Sequence, residues 1–116
     1  MRYLLVIGSE NKTPGPPPSQ GEMQAILQGH TRLGEELRAA GKVVAAERLR
    51  PDTDGTRIRF KAGQRQVTDG PFTETKEAIG GFYLIECATK AEAVEWAKKV
   101  PLGEGGFVEV RPIWPM

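Results

Sequence analysis

Three short segments of this chain are apolar at consecutive positions, and they constrain the fold more than any other feature. They lie at residues 3–7, 43–46 and 82–85. Successive side chains of a strand point to opposite faces of a sheet, so each segment predicts a strand that is apolar on both faces. A sheet with such a face left bare would expose more apolar surface than soluble monomers usually tolerate. We therefore expect both faces to be covered.

Two helices are predicted between the strands. Ser19 and Glu22 have the spacing of a capping box and begin a helix whose apolar positions recur every three or four residues. Thr89 begins the same spacing again, and Pro101 ends the second helix. Residues 14–18 are rich in proline and predict a rigid loop, with a polyproline ligand as the alternative. The inner face of the second helix is predicted to carry Ala93, Ala97 and Val100.

The remaining signals predict a hairpin and a last strand. Residues 56–61 alternate apolar and basic side chains, residues 65–68 can pair with them, and residues 107–111 follow a glycine-rich turn. The order predicts a single α+β domain over residues 1–116, with a ferredoxin-like split βαβ arrangement and an inserted β-hairpin. Because two helices cover one face of a sheet, a second copy of the chain is the economical cover for the other. We therefore predict a homodimer.

Composition and missing motifs exclude several classes of function. Sixteen Lys and Arg residues are interspersed with fifteen Asp and Glu, so we expect no direct nucleic-acid contact. The N-terminal apolar segment is too short for a signal peptide or a membrane span, which predicts a cytoplasmic protein. No phosphate-binding glycine loop, zinc spacing or nucleophile elbow occurs, and we predict no metal or cofactor. The single cysteine, Cys87, is predicted to be buried and inert, with a nucleophile near His30 as the alternative.

One polar run stands out between the hairpin and the last apolar strand. An ordinary tight turn explains its Asp-Gly-Pro start, whereas the hydroxyl, carboxylate and ammonium groups that follow suit a ligand-binding loop. Both interpretations stay open. The run reads Asp69, Gly70, Pro71, Phe72, Thr73, Glu74, Thr75, Lys76 and Glu77.

This run, with residues 80–85, resembles the signature of the DGPF proteins, a branch of the YCII-related family. Residues 1–5, 36–41 and 108–112 match the family pattern in the same order. The resemblance implies a dimeric α+β barrel in which two ferredoxin-like sheets pack face to face. It implies little about the reaction: some relatives accompany or are fused to alternative sigma factors, and others take part in small-molecule transformations such as dehydrochlorination.

The resemblance also implies a role for His30, the only histidine, which spacing places on the apolar stripe of the first helix. In the family a histidine at this place is proposed to act beside an aspartate that directly precedes a proline. Here that place is Val100, so we predict Asp69 as the substitute carboxylate and His30 and Asp69 as the catalytic pair. The alternative is a core or interface histidine. Predicted substrate contacts are Gly70, Pro71, Phe72, Thr73, Glu74, Lys76 and Tyr83.

Two functions follow from these predictions. The first is a small-molecule site near the Asp69 turn, with cofactor-free lyase-like or isomerase-like proton transfer. The second is a non-catalytic regulatory module with a sigma-factor partner, in which that turn is structural. Tyr83 can point into a cleft or lie in an interface, and Arg48 and Arg50 can bind an anion or remain solvated charges.

Overall fold

The structure, a computed structural model, describes residues 1–10, 19–72 and 76–115. The predicted proline-rich loop at 14–18 and two predicted contact residues, Thr73 and Glu74, lie outside these ranges. None of the described helices has the length and apolar character needed to cross a bilayer. The elements are β1 (Arg2–Ser9), α1 (Gln20–Ala39), β2 (Val43–Arg48), a 3-10 turn (Asp52–Asp54), β3 (Thr56–Lys61), β4 (Gln64–Asp69), β5 (Ala78–Glu86), α2 (Lys90–Ala97) and β6 (Gly106–Pro112).

The strands form one four-stranded antiparallel sheet and one separate hairpin. The order in the larger sheet is β2-β5-β1-β6, and β3 pairs with β4 alone. Strands β1 and β2 are parallel, with α1 connecting them and β5 lying between them. Strands β5 and β6 are likewise parallel, with α2 connecting them and β1 lying between them, which is the split βαβ arrangement. The predicted α+β, ferredoxin-like fold with an inserted hairpin is confirmed.

Both helices begin at the caps that the sequence predicts. The Ser19 hydroxyl accepts a hydrogen bond from the Glu22 amide at 3.1 Å, and the Thr89 hydroxyl accepts from the Glu92 amide at 3.2 Å. These bonds satisfy amides that the first turn of a helix leaves without partners. Gly41 follows α1 with a φ of 69°, which glycine adopts without strain. Local chemistry therefore sets where both helices start and where α1 stops, whereas α2 ends at Ala97, ahead of the stop predicted at Pro101 and without Val100.

The helices cover one face of the sheet. On the opposite face Leu4 pairs across strands with Leu84 and Val6 with Phe82, and all four side chains are partly exposed. The molecule is 19 Å thick in its shortest dimension, which fits one sheet and one helix layer at about 10 Å each. Among the described elements, no helix or strand therefore covers the second apolar face of the sheet, which we call the open face. The core between helices and sheet comprises Tyr3, Leu5, Leu33, Leu37, Tyr83, Ile85, Cys87, Ala93, Ala97 and Val100.

A β-bulge interrupts the edge strand β2. Val43 pairs with Ile85 and Ala45 with Leu84, so Val44 is an extra residue without a cross-strand partner. A single extra residue reverses which side chains face the helices from that point on. The face that each later residue of β2 occupies is therefore set by this bulge.

The turn at residues 69–72 closes the base of the hairpin. The Gly70 amide donates to the Gly55 carbonyl at 2.9 Å, and the Phe72 amide donates to the Asp52 carboxylate at 3.3 Å. A Cβ atom at Gly70 would overlap the carbonyl oxygen of Asp52. This close backbone approach therefore requires glycine.

We predict that Gly70→Ala destabilises the protein by about 1–3 kcal/mol, because the added methyl group forces two backbone segments apart. Equilibrium denaturation in urea measures the change. Gly34→Ala is the matched control: it lies inside α1 with nothing within 4 Å of the added carbon, and helix propensity favours alanine there by about 0.5–1 kcal/mol. Equal behaviour of the two variants would contradict the packing role of Gly70.

Candidate functional site

A cleft of about 460 Å³ lies between the N-terminal half of α1 and the sheet, and we call it the α1 cleft. Its volume is within the range of small-molecule sites. Its apolar lining is Ile7, Met23, Ile26, Leu27, Ala46 and Phe82. Its remaining lining is His30, Thr31, Glu47, Arg48, Gly80, Gly81 and Tyr83.

The cleft exists because α1 contacts the sheet through its C-terminal half. Leu33 and Leu37 are 2% and 0% exposed, whereas Leu27 on the preceding turns is 42% exposed. Met23 and Ile26 belong to the same apolar stripe and are partly exposed. One stripe thus forms the core at one end of the helix and a cleft wall at the other.

His30 and Tyr83 are joined by a hydrogen bond in this cleft. His30 Nδ1 lies 2.7 Å from the Tyr83 hydroxyl, and the two rings are stacked with an interplanar angle of 20° and centroids 5.9 Å apart. No other residue of the described ranges hydrogen-bonds the imidazole, so Nε2 remains for a ligand. A partner on Nδ1 fixes the orientation of the ring, and because a phenol both donates and accepts, this bond is compatible with either tautomer.

The surroundings keep both groups uncharged at neutral pH. Burial lowers the pKa of His30 below 6.5, and the positive charge of Arg48 lowers it further. Burial raises the pKa of Tyr83 above 10.0, so the phenol keeps its proton. The pair is therefore a neutral imidazole with a neutral phenol, and the imidazole is ready to accept a proton.

Arg48 reaches the cleft because of the bulge in β2. Beyond the bulge Ala46 pairs with Tyr83 and Arg48 with Gly81, which puts Ala46 and Arg48 on the helix-covered face. With an uninterrupted register Glu47 would pair with Gly81 instead. Within the described part of the chain no carboxylate forms an ion pair with Arg48, whereas Arg50 is paired with Asp54 at 3.0 Å.

A glycine at position 81 keeps the floor of the cleft open. A Cβ atom there would lie 2.7 Å from the Glu47 carbonyl oxygen. Strand β2 therefore approaches β5 more closely than any side chain at this position allows. The sequence pattern marks Gly81 as the start of a strand and contains no sign of this role.

The structure brings together His30 and Tyr83, and it places Asp69 elsewhere. Asp69 ends β4 at the base of the hairpin, where its carboxylate accepts a hydrogen bond from the Thr56 hydroxyl at 2.9 Å. It does not line the α1 cleft. Tyr83, predicted as a substrate contact, lines the cleft and is the partner of His30 Nδ1. His30 and Tyr83 are 53 positions apart, so the spacing of residues in the sequence could not show that they meet.

The other predicted contact residues that the structure describes do not line the cleft. Gly70 packs on the Asp52 backbone, and Phe72 is buried with the Arg57 guanidinium 4.1 Å from its ring centre. Pro71 and Lys76 are exposed. In the described residues, the Asp69 turn therefore has contacts that suit a structural role, and its role in binding stays a prediction.

Comparison with known proteins identifies the family. The model of the YCII-related domain matches residues 1–116. The chain belongs to the YCII-related family. An uncharacterised protein of Rhizobium meliloti (strain 1021) is 37% identical over 97 residues, which cover 82% of this chain and 78% of that protein.

A second match is to mouse histone H1.4, with 34% identity over 95 residues. The matched region covers 79% of this chain and 42% of the histone. It carries no argument about function here, because a formal net charge of +1 gives this chain no general attraction for nucleic acid.

Val100 occupies the position at which the family resemblance implies an aspartate. The Pro101 ring lies against α1, since a Cβ atom at Gly29 would be 2.6 Å from Pro101 Cγ. Pro101 therefore packs against α1 at Gly29, the residue before His30, and Val100 is buried in the core. Tyr83 instead orients the imidazole from the sheet.

Cys87 does not line the cleft, and the described residues contain no candidate metal site. Cys87 is buried, as predicted, and burial is the main cause that raises the pKa of its thiol. A thiol with a raised pKa is a poor nucleophile. Across the described ranges, no three His, Cys, Asp or Glu side chains cluster as metal ligands would.

We predict that the pKa of His30 rises in Arg48→Gln, because the substitution removes one of its two causes of lowering. His30 is the only histidine, so its imidazole signals can be followed by NMR titration without assignment. Tyr83, which hydrogen-bonds the ring, is unchanged in this variant.

Arg50→Gln is the control, since Arg50 lies two positions further on and is already paired with Asp54. It should leave the His30 titration where it is in the wild type. A wild-type pKa at or above 6.5, or equal shifts in the two variants, would show that Arg48 does not act on His30 as described.

Proposed function

We propose that this protein binds a small organic molecule in the α1 cleft and transfers a proton to or from it with His30, oriented by Tyr83. The 2.7 Å hydrogen bond between Nδ1 and the phenol carries this proposal, because it lies inside an open cleft of ligand size. Structural histidines are usually sealed in packing, and His30 is partly exposed.

The proton transfer uses the tautomer of His30 that carries its proton on Nδ1. When Nδ1–H donates to the Tyr83 oxygen, the lone pair of Nε2 is available as a general base. The lowered pKa of His30 keeps that lone pair free at neutral pH. Cofactor-free lyases and isomerases begin with such a proton abstraction, which agrees with the first function predicted from the sequence.

The proposed site differs in place from the sequence prediction. The helix α1 and strands β2 and β5 build it, whereas the Asp69 turn lies at the hairpin base. Asp69 therefore has no part in the proposed proton transfer, and Tyr83 takes over the orienting role that was assigned to it.

We also propose that two copies associate through the open sheet face. Leu4, Val6, Phe82 and Leu84 form its apolar centre, and Glu109 and Arg111 pair across strands with Val6 and Leu4 at its edge. An apolar centre with a charged rim is the usual composition of a protein interface. The dimeric α+β barrel implied by the family resemblance would use this face.

The proton transfer can be tested by solvent exchange. We expect the wild type to catalyse deuterium incorporation at acidic C–H positions of at least one compound in a panel of small oxo acids, followed by NMR in D₂O. His30→Gln should reduce the rate by about 10²–10⁴-fold, because the base is lost. Tyr83→Phe should cause a smaller loss, because the imidazole remains without its orienting partner.

Asp69→Asn is the control for the site of the reaction. It removes the charge of the carboxylate at the hairpin base and keeps a group that can accept from Thr56. Exchange should continue at the wild-type rate. Loss of exchange in this variant with an undiminished rate in His30→Gln would move the site to the Asp69 turn and overturn the proposal.

The dimer has a separate test. Light scattering should give twice the chain mass of 12.7 kDa for the wild type. Leu84→Glu puts a charge at the centre of the open face and should shift the protein to monomer. Leu102→Glu, an exposed apolar position outside the sheet, should remain dimeric. A monomeric wild type at micromolar concentration would contradict the proposal.

A regulatory role is the second candidate, and one surface supports it. Ile58 and Val67 pair across the hairpin on the same side as Phe60, and the three side chains are 62%, 68% and 70% exposed. Exposed apolar clusters of this kind often bind proteins. A sigma-factor partner remains a prediction from the family resemblance alone.

A further inference from the structure

We propose that Arg48 makes the α1 cleft selective for small organic anions, with a carboxylate or enolate oxygen on its guanidinium and an apolar body against α1. This inference rests on the proposed function and adds the class of ligand. Arg48 is thereby a specificity-determining residue, which decides for Arg48 between the two alternatives that the sequence leaves open, an anion ligand or a solvated charge.

The cationic group lines the cleft from the exposed end of the edge strand β2. The bulge at Val44 places Arg48 opposite Gly81 on the helix-covered face, at the level of the cleft floor. No carboxylate of the described residues pairs with it. Arg48 is exposed, and its planar guanidinium offers paired donors whose geometry matches a carboxylate, so it can bind an anion at the cleft bidentately.

The acidic residue nearest in sequence does not neutralise it. Glu47 also lines the cleft, but its cross-strand partner is Phe82, so its side chain belongs to the opposite face of the sheet. Its backbone carbonyl faces Gly81. The charge that a ligand meets in the cleft is therefore that of Arg48, with His30 and Tyr83 both neutral.

The rest of the cleft selects the body of the ligand. Met23, Ile26 and Leu27 form one wall on α1, and Ile7 lies across from them on β1. These side chains offer no hydrogen bonds, so a polar body such as a sugar would lose its hydration without replacement. A short alkyl or aryl group gains from the same burial.

This placement also completes the proton transfer. The C–H bond of the ligand breaks heterolytically, the proton goes to Nε2 of His30, and the electron pair delocalises onto the oxygen that faces Arg48. Return of the proton to another carbon of the same anion is an isomerisation. No oxidant, reductant or further reactant is needed, and the negative charge that develops lies where a fixed positive charge already stands.

Benzoate and benzamide serve as probes, because they have the same size and differ in charge. Titrations followed by backbone NMR should show both at the amides of His30 and Gly81, with benzoate bound about tenfold more tightly. In Arg48→Gln this preference should disappear while benzamide still binds. Arg50→Gln is the matched control and should keep the full preference, since Arg50 is paired outside the cleft.

The outcomes separate the two proposals. Equal binding of the probes to the wild type, or a preference that survives Arg48→Gln, overturns the anion inference and leaves the cleft as a neutral-ligand site. If neither probe shifts the cleft amides, the proposed function fails and the inference fails with it. If Arg48→Gln loses benzamide too, Arg48→Lys decides: a charge-retaining variant that does not restore the preference overturns the inference.

Discussion

The packing of Leu33 and Leu37 on the sheet is the contact on which the rest of the structure depends. A helix of 20 residues is about 30 Å long, and these two side chains fix only its C-terminal half. The N-terminal half continues the same apolar stripe without reaching the sheet, so the space beneath it becomes the α1 cleft. The same apolar stripe is thus buried against the sheet at one end, where it stabilises the fold, and lines a ligand-sized cavity at the other.

Those features that depend on local chemistry could be predicted. The capping residues Ser19 and Thr89 start the helices, and the alternation at Thr56–Lys61 defines β3 with the same bounds in sequence and structure. The element order then leaves few arrangements for a small sheet, which is why the ferredoxin-like class followed. His30 was placed on the correct side of α1 for the same reason, since its spacing depends on the helical period alone.

Features that depend on contacts between distant segments could not be predicted from the sequence. Nothing in residues 43–48 marks Val44 as a bulge, and without it Arg48 would face away from His30. The pairing of His30 with Tyr83 joins residues from α1 and β5 that meet only in the folded chain. Reactive-looking neighbours single out Asp69 in the sequence, whereas the need for Gly70 beside it comes from a backbone contact with Asp52 that no local pattern shows.

The neutral partner of His30 limits the chemistry of this site. A carboxylate on Nδ1 would orient the ring and also stabilise the imidazolium, whereas a phenol does the first and contributes little to the second. The positive charge of Arg48 further disfavours protonation of His30 as long as no anion is bound to Arg48. An anion bound to Arg48 would cancel part of that field and raise the pKa of His30 at the moment when a substrate is present. Basicity and occupancy would then be coupled, so that the histidine stays neutral in the empty cleft and becomes a stronger base beside the anion that it deprotonates.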